Sequence, residues 1–236
     1  MGRSATPNSR ASLGTVVGVI SVPDTSSPPT TPPTSRKVGR PADSDSADTR
    51  LRIVECARER FAAEGFEGTT NREIATRAGI SSAALYHYFP SKADMYVAVC
   101  DSMSTMFTRV FADIAAEHRD FEHRVAALFN EVGRLGAEAP SMIGFITGIS
   151  TVVRRHPEVS GGTDAFFVQF RSLIADLIST ADDHDRVLRG TTPQAFTDLL
   201  VAVLGGLGRL SVRGDQARHV AAAGAFLSLL RGGAPE

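Results

Sequence analysis

The stretch TTNREIATRAGISSAALYHYFPSK, Thr69 to Lys92, decides the fold. It reads as two short helices joined by a tight turn, followed at once by the start of a third. Thr70 can N-cap the first helix while Glu73 reaches back to the Thr70 N–H, the reciprocal pair of a capping box. Ile74 and Ala75 are apolar or small enough to face a core. Ala78-Gly79-Ile80 then breaks the helix, because Gly79 is free to take a positive φ. Ser81 supplies the next N-cap, and SAALYHYF continues helically with Leu85 and Phe89 on one face. Pro90 ends that run, and Ser91-Lys92-Ala93-Asp94 carries the cap pattern of a new helix.

Helix, glycine turn and helix make the helix-turn-helix arrangement, in which the second helix enters the major groove of DNA. Leu85 and Phe89 anchor that helix inward and leave Ser82, Ala83, Ala84, Tyr86, His87 and Tyr88 as its outer surface. No acidic residue falls between Ile74 and Ala93, so nothing in this patch repels phosphate. Two packed helices of some other α bundle would share the same spacing.

A wider pattern narrows that choice. RIVECARERFAAEGFEGTT, REIATRAGIS and LYHYFPSKADM follow one another between Arg50 and Asp101. The F-x-x-x-G-F close of the first helix, the I-A-x-x-A-G-I turn and the L-Y-x-Y-F-x-S-K exit are specific together. This part of the chain, about residues 46–108, resembles the N-terminal domain of TetR-family transcriptional regulators. The resemblance implies DNA contacts at Thr70, Asn71 and Arg72 ahead of the reading helix, with Thr70 and Arg72 on phosphates. Ser82, Ala83 and Ala84 would face base edges, and Tyr86, His87, Tyr88 and Lys92 would contact phosphate or bases near the helix end. Nothing after residue 101 carries a comparable signature.

With 236 residues the chain can bury a substantial core and hold one domain plus a smaller one. The net charge of −1 advertises no nucleic-acid field, and acidic residues outnumber basic ones over 41–108. A local cluster of Arg36, Lys37, Arg40, Arg72, Arg77 and Lys92 would have to supply the attraction instead. Cys56 and Cys100 sit alone inside helical patterns and read as small apolar residues, not as a disulfide or metal pair. The longest uninterrupted apolar run falls short of the about 20 residues a bilayer span needs. LGTVVGVI near the N-terminus only faintly echoes a signal peptide, so a cytoplasmic protein without a membrane partner is expected.

Residues 1–45 are expected to be disordered, because SVPDTSSPPTTPPTS is too poor in apolar groups to offset chain ordering. Their end, Arg36-Lys37-Val38-Gly39-Arg40-Pro41, forms a basic arm. Such an arm, Arg40 included, either lies along a minor groove or phosphates or acts only as a solubilising tail. The first helix is expected from about Ser46–Thr49 to Glu64, ended by Gly65, with Leu51, Val54, Ala57, Phe61 and Phe66 facing the core. A long helix follows from Lys92 to about His118. Further helices are expected over Glu122–Glu138, Pro140–Arg155, Thr163–Thr180, Pro193–Val212 and Gln216–Leu230. HPEVSGG breaks the pattern once, and Asp182–Asp185 reads as a loop. No strand pattern competes, so the class is all-α: a three-helix domain with the helix-turn-helix (46–108) and a larger helical domain (109–236).

Residues 107–196 are rich in phenylalanine. Phe107, Phe111, Phe129, Met142, Phe145, Ile146, Ile149, Phe166 and Phe170 have the composition of a small-molecule pocket, and serve equally as plain core. The resemblance implies an effector-binding region here, with Thr147, Arg154 or Gln169 as candidate polar groups. The last two helices are broadly apolar with small residues between, which suits a two-fold helical interface through Leu200, Leu204, Leu207, Phe226 and Leu230. There is no G-x-S-x-G, P-loop, G-x-G-x-x-G or H-E-x-x-H, and the six histidines are scattered, so neither catalysis, a cofactor nor a metal is expected. The expectation is a dimeric DNA-binding regulator, a repressor released from a palindrome by a small apolar effector. The alternatives are an activator, a ligand-independent regulator, or a helical binding protein that no longer binds DNA.

Overall fold

The computed structural model describes residues 42–188, 190–212 and 215–232, with the side chains of 42–45, 186 and 187 outside that description. The basic arm and its Arg40 therefore lie outside the described residues. Every element described is helical, and the order follows the apolar periodicity closely.

Helix α1 (Ala42–Gly68) starts a few residues ahead of the expected Ser46–Thr49. It is broken at Gly65, whose φ of 73° and ψ of 177° are open to a residue without Cβ. Its buried face is Ile53, Val54, Ala57 and Phe61, with Phe66 past the break. Leu51, expected on that face, is 56% exposed, and Ile53 takes the inward place. A run with apolar residues at 51, 53 and 54 fits two stripes half a turn apart, and only the packing partner selects one.

Helices α2 (Asn71–Arg77) and α3 (Ser82–Tyr88) complete the reading head, and α4 (Lys92–Glu117) runs out of it for 26 residues. The body holds α5 (Phe121–Glu138), α6 (Pro140–Arg155), α7 (Ser160–Ser179), α8 (His184–Leu188), α9 (Pro193–Val212) and α10 (Gln216–Arg231). The expected interruption at HPEVSGG shrinks to a 3₁₀ turn, Pro157–Val159, and α7 begins at Ser160. The expected loop at Asp182–Asp185 runs into α8.

In the body, α9 packs between α5, α6, α7 and α10, while α4 lies on α7. By length and composition α9 is apolar enough to cross a membrane, yet its buried face is filled by this bundle. A Cβ on Gly136 would overlap the Ser211 side chain, so α5 and α9 meet at a glycine. Arg124 is buried and, among the described residues, binds no carboxylate. Its guanidinium donates to the carbonyls of His118 and Leu177 at 2.8 Å and to Thr180 Oγ1 at 2.8 Å. A cation thus closes the C-terminal ends of α4 and α7, where carbonyls are left over and the helix dipoles are negative. The buried His219 ring places Nδ1 3.1 Å from the Leu207 carbonyl oxygen and Nε2 3.0 Å from that of Phe129, pinning α10 to α9 and α5.

The reading head joins the body through an aromatic cluster. Phe61, Phe66, Tyr96 and Phe145 pack ring on ring, with Tyr96 4.6 Å from Phe145 on α6. Burial there raises the Tyr96 hydroxyl far above its ordinary pKa, and burial raises the neighbouring Cys100 thiol to about 12, so both stay neutral. Cys56 and Cys100 are free thiols.

Candidate nucleic-acid interface and ligand pocket

Local chemistry positions the reading helices. The Thr70 hydroxyl accepts from Glu73 N at 3.3 Å, and the Glu73 carboxylate accepts from the Thr70 N–H and hydroxyl at 2.9 Å. Those hydrogen bonds, the backbone one foremost, hold the Glu73 carboxyl below its usual pKa. The other end of α2 is a Schellman close: Gly79 N donates to Thr76 O at 3.2 Å and Ile80 N to Ala75 O at 3.0 Å, with Gly79 at φ 69°. Arg52 of α1 donates to the Ala78 carbonyl at 2.8 Å, adding a charged clasp to the turn. Ser81 then caps α3 by accepting from Ala84 N at 3.1 Å, and Leu85 and Phe89 are buried beneath it.

What remains outside is a compact polar surface. Thr70, Arg72, Ser82, Ala83, Tyr86 and His87 are exposed, while Asn71, Ala84 and Tyr88 are half-buried. Tyr86, 52% exposed, accepts a hydrogen bond from Asn71 Nδ2 at 3.1 Å, so the start of α2 and the middle of α3 form one surface. Arg72 makes no ion pair among the described residues. Arg77 is engaged by Glu59, and Arg60 by Glu64 and Glu73.

Lys92 departs from the expectation. Its ammonium donates to the carbonyls of Phe66 at 2.7 Å and Thr69 at 3.1 Å, and lies 4.5 Å from the Phe66 ring centre. The end of α1 and the approach to α2 hold this cation, and desolvation lowers its pKa. Two of its three N–H donors thus tie the start of α4 to the end of α1 and the approach to α2. The carbonyls freed by the break at Gly65 are acceptors that no sequence motif announces.

A cavity of about 240 Å³ opens in the body between α4, α5, α6, α7 and α9. Phe107, Phe111, Ile146, Phe166 and Phe170, all expected to line a pocket, do so. Phe107 and Phe170 lie 5.3 Å apart, and Phe166 stacks on Phe170 at 6.2 Å. Thr147 lines it too, its hydroxyl donating to Gly144 O at 3.1 Å. The other expected members are elsewhere. Phe129 packs on Phe226, Phe145 belongs to the aromatic joint, and Met142 and Ile149 are core. Arg154 is exposed, and Gln169 donates to Thr108 Oγ1 at 2.9 Å. The spacing that makes a residue inward-facing is the same for core and cavity, so the sequence could not separate them. Lining residues missed on that account include Val110, Leu128, Val132, Leu135, Ile143, Val201, Glu131 and Arg209.

The face expected to mediate dimerisation also needs correction. Leu200, Leu204 and Leu207 are buried inside the protomer, and Leu204 lines the cavity. Phe226 and Leu230 are half-buried. The outward stripe is offset by one residue: Leu199, 48% exposed, with Ala202 and Gly206 on α9, and Val220 and Leu229, 61% and 65% exposed, flanking Gly224 on α10. Among the described residues no group of His, Cys, Asp and Glu is arranged to hold a metal ion.

Residues 53–99 match the family model described as bacterial regulatory proteins, tetR family. Over 195 residues the chain is 24% identical to the HTH-type transcriptional regulator SrpR of Pseudomonas putida, covering 82% of this chain and 91% of that protein. A 68-residue match at 41% identity, 29% of each chain, links it to the HTH-type transcriptional repressor KstR2 of Rhodococcus jostii. Among solved structures, the transcriptional regulator FadR of Bacillus subtilis in complex with stearoyl-CoA superposes with a TM-score of 0.62 at 17% identity, over 78% of this chain and 99% of that one. That likeness shows the fold.

Proposed function

We propose that this chain, whose residues 53–99 match the tetR family model, is a TetR-family transcriptional regulator and not an enzyme, a dimeric repressor released from a palindromic operator by a small apolar ligand. One observation carries the reading: α4 spans both sites. Its first turn holds Lys92, tied to the carbonyls beneath the reading helices, and Phe107, Val110 and Phe111 four turns later wall the cavity. A ligand that wedges this wall tilts a single helix and so moves α2 and α3 relative to a partner subunit. Only a ligand that binds the two tilts unequally can shift the equilibrium.

Dimerisation is supported by the outward stripes of Leu199, Ala202 and Gly206 and of Val220, Gly224 and Leu229, whose small residues permit close helix approach. Two copies related by a two-fold axis would present two α3 helices to half-sites one turn of DNA apart. Thr70 and Arg72 then meet phosphates, while Ser82, Ala83, Tyr86 and His87 meet base edges. Small alanines at the centre of that face favour thymine-methyl contacts and DNA shape over strong base-reading hydrogen bonds. A regulator of this kind acts in the cytoplasm.

The test is a titration against the intergenic DNA upstream of the protein's own coding sequence at two salt concentrations. A saturable, sequence-selective shift with a two-fold symmetric footprint that weakens with salt is expected. Binding equal to that on random DNA would remove the proposal. The repressor KstR2 and the FadR complex with stearoyl-CoA motivate the repressor and ligand halves respectively.

A further inference from the structure

We infer that the cavity in the body takes an amphiphile with an anionic head, a medium-sized arylalkyl or acyl carboxylate, whose charge is received by Arg209. The inference rests on the ligand-responsive reading above and names the class of ligand. Four observations lead to it.

The interior surface is apolar and aromatic, so the body of the ligand must be apolar too. The volume of about 240 Å³ lies below the about 300–1,000 Å³ of pockets for drug-sized molecules, which favours one ring or a medium chain. Two charged residues line the cavity, Glu131 and the exposed Arg209 at its rim, and they differ in what they already bind. Both Glu131 oxygens are taken by the Arg134 fork, at 2.7 and 2.5 Å, leaving little of its charge for a cationic guest. Arg209, in contrast, has no carboxylate partner among the described residues. Asp198, the other charge on α9, is engaged by Arg171. A lone cation in the last turn of a helix is an ordinary complement to the helix dipole. Here it also borders an apolar cavity, where a guanidinium can grip a carboxylate in two parallel hydrogen bonds.

Gly205 makes the site testable. It lines the cavity, and a Cβ there would meet nothing within 4 Å, so a larger side chain grows into the space the ligand would occupy. Leucine is also a better helix former than glycine, so the fold tolerates the change.

The experiment compares phenylbutyrate, phenylbutanol and phenylbutylamine, one apolar body with three heads, by calorimetry on the full-length protein without DNA. The carboxylate is expected to bind about tenfold more tightly than either other probe, the factor one charge-assisted hydrogen bond supplies. Arg209→Gln should bring the carboxylate to the level of the alcohol while leaving the alcohol unchanged, and Gly205→Leu should abolish all three. The inference is overturned if the amine or alcohol binds as well as the carboxylate, if Arg209→Gln keeps the preference, if Gly205→Leu binds normally, or if no probe binds at millimolar concentration. Operator binding is measured separately. Its loss beside an intact carboxylate preference would remove the regulatory reading and leave the site.

Discussion

The reading head and the body solve the same problem, holding short helices at fixed angles, with different means. In the head the helix ends are set by groups close in sequence, the Thr70–Glu73 box, the Gly79 close and the Ser81 and Ser91 caps, with the Arg52 and Lys92 ties to backbone carbonyls added across 23 to 26 residues. In the body the helices are held by contacts across long sequence distances, such as Arg124 with Leu177 and Thr180, or His219 with Phe129. The head spends polar chemistry on making a stiff outer surface. The body leaves a cavity of about 240 Å³ in its apolar interior.

The comparison can be broken at its strongest point in the body. Arg124→Met should cost about 3–5 kcal/mol, because it leaves the buried Leu177 carbonyl and the half-buried His118 carbonyl without their donor at about 1–3 kcal/mol each. Denaturant unfolding should show the loss, and a change under about 1 kcal/mol would mean water replaces the guanidinium easily. Its counterpart in the head is Leu85→Ala, which removes a fully buried side chain and should cost about 2–5 kcal/mol. If head and body are separable, this variant loses DNA binding while keeping affinity for a ligand in the cavity.

Lys92 sharpens the contrast between structural and contact cations. Lys92→Met should lower stability by about 1–3 kcal/mol through the two released carbonyls, and weaken DNA binding with no change in its salt dependence. Arg72→Ala should leave stability unaltered and reduce the salt slope of binding by about one. The opposite assignment of slopes would restore Lys92 to the phosphate contacts.

The smallest effect expected is at Thr70. Thr70→Ala removes the N-cap of α2 and should cost about 1 kcal/mol at neutral pH. The Glu73 carboxyl is held below its ordinary pKa in the fold, so its share of stability is present above the unfolded pKa and lost as pH falls through the folded one. The difference between wild type and Thr70→Ala should therefore narrow on acidification in thermal melts. A gap that widens in acid would show that Glu73 draws nothing from Thr70.

The correctness of the sequence reading follows the same divide. Capping residues, the positive-φ glycine and the buried pair Leu85 and Phe89 were legible because each acts within about a turn of itself. Leu51 was misjudged, as were Leu200, Leu204 and Leu207 and four of the nine pocket residues. In each case a helix apolar on two sides offers two answers, and the neighbour that decides between them lies far along the chain. The carbonyl tie of Lys92 was hidden for another reason. A lysine beside a reading helix looks the same in sequence whether phosphate or a freed carbonyl receives it.

By itself, the sequence determined the all-α class, the helix order, the reading helices and their caps, since period and cap chemistry are local properties of a chain. Only the tertiary structure decided which apolar face turned inward, where a cavity remained among the phenylalanines, and that Arg209 borders it. Those depend on which distant surfaces meet and on the space left when they do not fit completely. Side-chain pattern carries no record of either.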